Sequence, residues 1–266
     1  MQSVMRPEIL MSDWSVFLAE VETHLRALAE TGCDMPFFRG HSDNKWRLLC
    51  GLGRQTPVEF KKQNIESILY YDFMSLGGPV LGRKTDSWDV LFAMQHHGLP
   101  TRLLDWTTTF AAALYFAIRP YLFLRNFREA TSLPTKPCIW VLDPFELNRL
   151  TQRDPAIANP YTDFDGTYHE TFIEQSKGLG ADIVAINPTQ LTYRQAAQRS
   201  AFTLHANLFA PLEVHAPKVV RSFELPVGSL PQAISFLSLA GVNEFTLFPD
   251  LDGLVRHLKR EHVTWF

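Results

Sequence analysis

The chain has 266 residues, of which 46% are hydrophobic and 20% are charged, an ordinary globular balance that allows a sizeable core. Its formal net charge of −3 argues against a broad nucleic-acid-binding surface, although it allows a local basic pocket. The longest apolar run, Phe110 to Ile118, is about half as long as a membrane span, and the N-terminus lacks the pattern of a signal peptide. We therefore expect a cytoplasmic protein with no membrane partner.

Apolar periodicity and capping residues predict the helices and strands of the chain. In its first half we predict a helix from an Asp13 cap to Gly32, a strand from Met35 to Arg39, a helix from Val58 to Leu76 closed by Gly77-Gly78, a helix from Ser87 to His97 and an apolar helix from Thr108 or Thr109 to Ile118. Cys33, Cys50 and Cys138 fit no metal or redox spacing, so we expect them to be reduced core residues.

The second half of the chain mixes strands and helices without a steady βαβ rhythm. We predict strands at Cys138–Leu142, Asp182–Ile186, Ala201–His205, Val219–Leu225 and Glu244–Phe248, and helices at Ser229–Leu239 and Asp250–His262. Residues 151–182 have little periodicity and are interpreted as a mobile lid or an insertion. The overall prediction is an α+β fold, one domain over residues 1–266 with a core from about 13 to 262 and mostly antiparallel sheets flanked by helices.

Arg39 is the first candidate site residue, because FFRG places a guanidinium at the end of an apolar strand. Arginine offers a planar fork of donors that suits phosphate or carboxylate, and Gly40 would let the backbone approach a ligand. A salt bridge to a core carboxylate is the competing interpretation of Arg39.

The stretch QHHGLPTRLLDWTTT, which begins at Gln95, is richer in polar groups than a helix cap requires. His97 and Asp105 are too few for a metal site, so no metal is predicted. Free N–H groups at the start of the following apolar helix would favour an anion. The stretch either binds a ligand or has a structural role, in which Asp105 caps the next helix or pairs with Arg102.

Arg194 and Gln198 form a third candidate, on a helical turn that leads into a strand carrying Thr203 and His205 on one face. The amide of Gln198 can bind a hydroxyl or another amide. A core strand with a polar edge explains the same residues equally well.

These three stretches resemble the signatures of the FRG domain family: FFRG with Trp46 and Arg54, then QHHGLPTRLLDWT, then Arg194, Gln198 and Phe202-Thr203. Ser200 stands where the third signature usually has glycine, so the local turn is expected to differ. LFPDLDGL, from Leu247, resembles the closing helix of the family. The resemblance spans roughly Asp13 to His262.

A second, weaker resemblance is to ADP-ribosyltransferases of the Arg–Ser–Glu type. Their order of an aromatic-Arg-Gly strand end, a Ser/Thr element before a small-residue helix, and a later Glu or Gln is similar to Arg39-Gly40, Thr107 and Gln198. This resemblance implies an α+β fold of that type and an NAD-using enzyme, an ADP-ribosyltransferase or NAD glycohydrolase with an unknown protein or nucleic-acid acceptor.

The implied roles divide the candidate residues into two groups. NAD would be bound by Arg39, Gly40, Thr101, Arg102 and Thr107, and the catalytic residues would be Gln198, Asp105 and His97. Gln198 offers no carboxylate, so the charge that steadies an oxocarbenium-like centre would come from Asp105, Glu170 or Glu174. The alternative is a non-catalytic module that binds a nucleotide, a phosphate group or a partner through the same arginines.

Overall fold

The computed structural model describes residues 12–54, 58, 64–81, 85–123, 135–151, 154, 156–187 and 192–263. Its strands are β1 Phe37–His41, β2 Leu103–Thr107, β3 Cys138–Leu142, β4 Ile183–Ile186, β5 Ser200–His205 and β6 Val220–Glu224. Its helices are α1 Asp13–Glu30, α2 Ile65–Leu81, α3 Ser87–His96, α4 Phe110–Ile118, α5 Pro144–Leu150, α6 Tyr193–Ala197, α7 Leu212–His215, α8 Leu230–Leu239, α9 Glu244–Leu247 and α10 Leu251–His262.

One antiparallel sheet organises these elements, with the strand order β4-β5-β2-β1-β3-β6. The predicted α+β architecture with antiparallel strands flanked by helices is therefore confirmed. Within the described part of the chain no helix is long and apolar enough to cross a membrane.

The two faces of the sheet bury different sets of side chains, because successive residues of a strand point to opposite sides. Phe38, Ile139 and Val141 face a cluster that contains α1, α4 and α8. On the same face, the β2–β5–β4 half packs against α3 through a separate cluster that includes Trp88 and Phe202. Two helical layers thus cover one face, and they meet where β1 lies beside β2.

Gly40 is required by the packing of α4 onto the sheet. A Cβ atom built on Gly40 would lie 1.9 Å from the carbonyl oxygen of Ala113 and 2.6 Å from the backbone nitrogen of Ala117. No side chain fits at that distance, so the glycine lets the apolar helix lie directly on β1. Ala112 and Ala113 are buried because they belong to this closely packed helix.

Most predicted elements are present, with small shifts of their ends. Helix α2 begins at Ile65 and continues through Gly77-Gly78 to Leu81, so those glycines do not close it. Asp86 caps α3, and Ser12 caps α1. Residues 55–57 and 59–63 of the predicted second helix lie outside the described residues.

Two predictions are wrong. Glu244–Phe248, expected as a strand, forms helix α9 because Asn243 and Thr246 make a reciprocal capping box at its start. The segment Leu103–Thr107, interpreted as part of a polar turn, is the central strand β2. Its outward Asp105 interrupts the apolar pattern that would have predicted a strand.

The described part of residues 151–182 is held by an aromatic cluster on α2 and α3. The rings of Phe164, Tyr168 and Phe172 lie within 6.4 Å of the ring of Trp88, measured between centroids. A short π-helical turn at His169–Ile173 carries Phe172, and Tyr168 is the capping residue before it. Whether this segment closes over a ligand stays a prediction.

Candidate functional site

A cleft of about 970 Å³ opens where strands β1 and β2 separate. The two strands pair only at Phe38 and Thr107. Beyond that pair, the guanidinium of Arg39 donates Nη1 to the backbone carbonyl of Asp105 in place of a backbone ladder bond. The cleft therefore lies at the junction of the two helical layers, with strand ends as its floor.

The structure brings six of the eight predicted site residues to this cleft. Those that line it are Arg39, Gly40, His97, Asp105, Thr107 and Gln198. Thr101 and Arg102 are not among its lining residues.

Arg39 lies at the floor of the cleft, where burial dominates its electrostatics. Its Nε donates to His41 Nε2 over 2.9 Å. Burial lowers the pKa of Arg39 to about 10, although the Asp105 carboxylate opposes the shift. The guanidinium therefore stays charged at neutral pH and has lost much of its hydration, which strengthens its attraction for an anion.

Asp105 is the exposed carboxylate on the wall of the cleft, and a buried relay orients it. The side chain of Gln95 donates from Nε2 to Asp105 Oδ2 over 2.7 Å. Thr101, which is 1% exposed, donates its hydroxyl to Gln95 Oε1. Thr101 thus acts behind the cleft, on the residue that fixes Asp105, and does not contact a bound ligand directly.

Arg102 forms a buried ion pair away from the cleft. Its guanidinium makes a two-point contact with the carboxylate of Glu66, with Nη2 lying 2.6 Å from Oε2. It also donates to the carbonyls of His205 and Ala206 and lies 4.4 Å from the ring centre of Phe172. Arg102 therefore does not line the cleft. Its sequence context, a guanidinium beside a turn, does not reveal that Glu66 is its partner.

Thr107 and Gln198 are linked at the cleft. The hydroxyl of Thr107 donates to the backbone carbonyl of Gln198 over 2.7 Å. The Gln198 side chain donates from Nε2 to the carbonyl of Leu247 over 3.0 Å. This bond uses one of the two donors of the amide nitrogen and none of the acceptor capacity of the side-chain oxygen.

The cleft also contains residues to which the sequence assigned no role or only a general one. Arg54 and Trp46 belong to the first signature, and Trp46 is 55% exposed at the cleft. Arg119 follows the apolar helix, and Asp250 caps helix α10. Of the described residues that line the cleft, four are arginines and two are aspartates: Arg39, Arg54, Arg119 and Arg194, with Asp105 and Asp250.

The ring of Phe248 organises the arginines at one end of the cleft. Arg119, Arg194 and Arg256 have their guanidinium carbons 5.2, 4.7 and 5.3 Å from the ring centre. Glu244, which is 2% exposed, accepts from Arg119 and Arg256 over 2.9 and 2.8 Å. Arg194 has no carboxylate partner in the described part of the chain and faces the cleft.

Glu170 and Glu174, the other carboxylates considered from the sequence, do not line the cleft. Glu170 accepts from Thr167, and Glu174 lies 3.3 Å from His169 Nδ1. Of the three carboxylates considered from the sequence, Asp105 is thus the one that lines the cleft. Among the described residues no group of three or more His, Cys, Asp or Glu side chains could hold a metal ion.

Comparison with known families gives one match, and no curated protein or solved structure matches the chain. Residues 35–122 match the FRG domain model. This range contains Arg39, Arg54, Gln95, Asp105 and Arg119, whereas Arg194, Gln198 and Asp250 come from outside it. Residues 35–122 of the chain therefore contain an FRG domain, and the rest of the chain lies outside the match.

Proposed function

We propose that the cleft binds NAD and that the protein is an ADP-ribosyltransferase-like enzyme acting on an unknown protein or nucleic-acid acceptor. The observation that carries the proposal is the convergence of four arginines on a cleft whose wall presents an oriented carboxylate, Asp105. The volume of about 970 Å³ is at the upper end of ordinary ligand pockets, which suits a dinucleotide.

Arg39 and Arg54 are the groups proposed to bind the pyrophosphate. The two lie close enough for the charge of Arg54 to contribute to the lowered pKa of Arg39. A guanidinium pair offers several donors to phosphate oxygens. Trp46, exposed beside them, offers a flat ring on which a nucleobase can stack.

The reaction breaks the bond between the anomeric carbon of the ribose and the nicotinamide nitrogen. The electron pair leaves with nicotinamide, and the ribose gains oxocarbenium character. The acceptor then forms a bond to that carbon and loses a proton. Asp105 is proposed to stabilise the positive charge that develops on the ribose.

Gln198 and His97 are proposed to position the reacting groups. Gln198 lines the cleft, and the exposed His97 lines it at the end of α3. Either side chain can bind a ribose hydroxyl or the amide of nicotinamide. Gly40 shapes the floor, and Thr107 holds the backbone of Gln198 in place.

A second candidate function is a non-catalytic module that binds a nucleotide or a phosphate group. It is favoured by an excess of arginines over carboxylates among the described residues that line the cleft. Such a site would hold an anion without needing a carboxylate near a reacting carbon.

The test is nicotinamide release from NAD by the purified full chain, measured by chromatography. Asp105→Asn keeps the shape of the side chain, so we expect release to fall at least roughly a hundredfold with NAD affinity retained. Arg54→Ala should instead raise KM by roughly tenfold, since its role is binding. Arg26→Ala, on an exposed arginine of α1 that pairs with Glu22, is the matched control and should change neither value.

The outcomes separate the two candidates. NAD binding without nicotinamide release in the wild type supports the non-catalytic module. If the wild type neither binds NAD nor releases nicotinamide from it, NAD is removed from the proposal altogether. Release that survives both Asp105→Asn and Arg54→Ala would show that the chemistry occurs outside this cleft.

A further inference from the structure

The arginines of the cleft form two separate groups. Besides burial, the charge of Arg54 lowers the pKa of Arg39, whereas the charges of Arg119 and Arg256 lower the pKa of Arg194. The charge of Asp105 acts on both Arg39 and Arg194. Asp105 lines the cleft together with both arginines, and Arg39 donates to its backbone carbonyl.

The second end is a built arrangement of guanidinium groups. Arg119, Arg194 and Arg256 surround one ring, which is 5% exposed, so their planes are fixed by a buried side chain. Glu244 is fixed in turn by the hydroxyl of Tyr115.

The hydrogen bonds at this end leave one guanidinium without a carboxylate acceptor among the described residues. Glu244 accepts from Arg119 and Arg256, whereas Asp105 and Asp250 act on Arg194 through their charge. Asp250 accepts from the backbone of Gly253 as the cap of α10. Arg194 is thus left with a backbone contact, 3.5 Å from Nη1 to the carbonyl of His96, as its hydrogen bond within the described residues.

Like charges held this close repel one another unless an anion lies between them. Arginine forks match the oxygens of a phosphate group and bind it with more than one hydrogen bond. Both Arg119 and Arg194 line the cleft, so their free donors face its interior.

We propose that Arg119 and Arg194, oriented by Phe248 and Glu244, form a second anion-binding subsite that takes a phosphate group. It rests on the proposed nucleotide-binding cleft, but it requires no reaction there. A ligand of this cleft then carries phosphate at both ends, with its uncharged part or its cationic part beside Asp105. The 2′-phosphate of NADP is carried by the adenosine ribose, which the proposed stacking of the nucleobase on Trp46 places at the Arg39 end. The phosphate of this subsite therefore belongs to a phosphorylated acceptor.

The experiment is calorimetric titration of the full chain with inorganic phosphate in a chloride buffer, compared with acetate. We expect phosphate to bind, and Arg194→Gln to weaken it at least fivefold. Arg194→Lys, which keeps the charge but loses the fork, should weaken it less. Because Arg39 and Arg54 are proposed to bind phosphate groups as well, the titration is fitted to two sites, and Arg54→Ala should retain the site that Arg194→Gln loses.

Arg221 provides a matched control for the arginine–ring contact. It lies 4.9 Å from the ring centre of Phe223 on strand β6, it is exposed, and it does not line the cleft. Arg221→Gln removes the same kind of contact and should leave phosphate affinity unchanged. Thermal melts of all variants check that Arg194→Gln is folded.

Titration with NAD and NADP tests the source of the phosphate. Equal affinities for the two, unchanged in Arg194→Gln, assign the subsite to the acceptor; tighter binding of NADP that Arg194→Gln abolishes would overturn that assignment. The subsite is refuted if Arg194→Gln leaves every phosphate site unchanged, if Arg54→Ala removes the same site as Arg194→Gln, or if acetate binds as tightly. A failure of nicotinamide release alone would refute the enzyme and leave the subsite intact.

Discussion

Gln95 donates its side-chain amide to the carboxylate of Asp105 over 2.7 Å, and Asp105 receives this bond at the wall of the cleft. The amide cannot turn over freely, because the hydroxyl of Thr101 donates to its oxygen. Thr101 in turn accepts from the backbone nitrogen of Leu103 over 3.0 Å. The buried hydroxyl of Thr101 therefore orients the exposed carboxylate of Asp105 through the side chain of Gln95.

Removing the middle of this relay should damage activity more than stability. Gln95 is half-buried, so Gln95→Ala should cost at most about 1 kcal/mol of unfolding free energy. It frees Asp105 to rotate, and kcat/KM for nicotinamide release should fall roughly tenfold, less than the loss of a group that contacts the transition state itself. Gln232→Ala, on the exposed side of α8, is the control in the same assay. Unchanged kinetics in Gln95→Ala would mean that Asp105 needs no orientation.

Gly40→Ala should destabilise the protein strongly. The added methyl group would overlap the carbonyl of Ala113, and backbone atoms of a packed helix cannot move aside cheaply. We expect a loss of roughly 3 kcal/mol or more in urea unfolding. Gly77→Ala, inside α2 with its nearest contact at 3.6 Å, should instead be neutral or stabilising by about 0.5–1 kcal/mol. Equal effects of the two substitutions would contradict the close approach of α4 to β1.

The buried pair of Glu66 and Arg102 should behave as one structural unit. The two side chains are 4% and 8% exposed, so Glu66→Gln leaves a guanidinium charge without its partner and should cost about 3–5 kcal/mol. Glu22→Gln, in an exposed pair on α1, should cost less than about 1 kcal/mol. In a double-mutant cycle, Glu66→Met with Arg102→Met should lose less than the sum of the single changes. Additive losses would show that the pair is not coupled.

Two buried histidines should make the protein lose stability in mild acid. Burial, assisted by the charge of Arg39, lowers the pKa of both His41 and His205 to about 3. In the unfolded chain each has a pKa near 6.5, so below that pH the unfolded state binds more protons. Stability is therefore complete above about pH 6.5 and falls as the pH drops towards 3, by up to about 1.4 kcal/mol per pH unit for each ring.

Urea unfolding at several pH values between 7.5 and 4 measures this slope. His205→Gln, which can still bond to Thr203, should reduce it by about half. An unchanged slope in that variant would assign the acid sensitivity to other groups.

The sequence predicted the parts of the fold in which local pattern and packing agree. Strand β3 was predicted residue for residue, because Cys138–Leu142 is a continuous apolar run that the sheet buries. Strand β2 was missed because Asp105 points into a cleft, and a cleft has no sequence pattern of its own. Helix α9 was mistaken for a strand because four residues are too few to show helical periodicity.

The candidate site was predicted only as far as single residues allow. Arg39 and Arg102 look alike in the sequence, each a lone arginine next to a turn. Their difference lies in Glu66, which is 36 positions away from Arg102 and reaches it only in the fold. The part played by Gln95 was hidden for the same reason, since its bond to Asp105 depends on how α3 lies against β2.

Arg39 connects the two halves of the protein as well as lining its cleft. Its guanidinium bridges the gap between β1 and β2, where backbone pairing stops after one residue pair. A bound anion would accept from the guanidinium donors that the Asp105 carbonyl and His41 leave free. Ligand binding and the joining of the two halves of the sheet would then depend on one guanidinium.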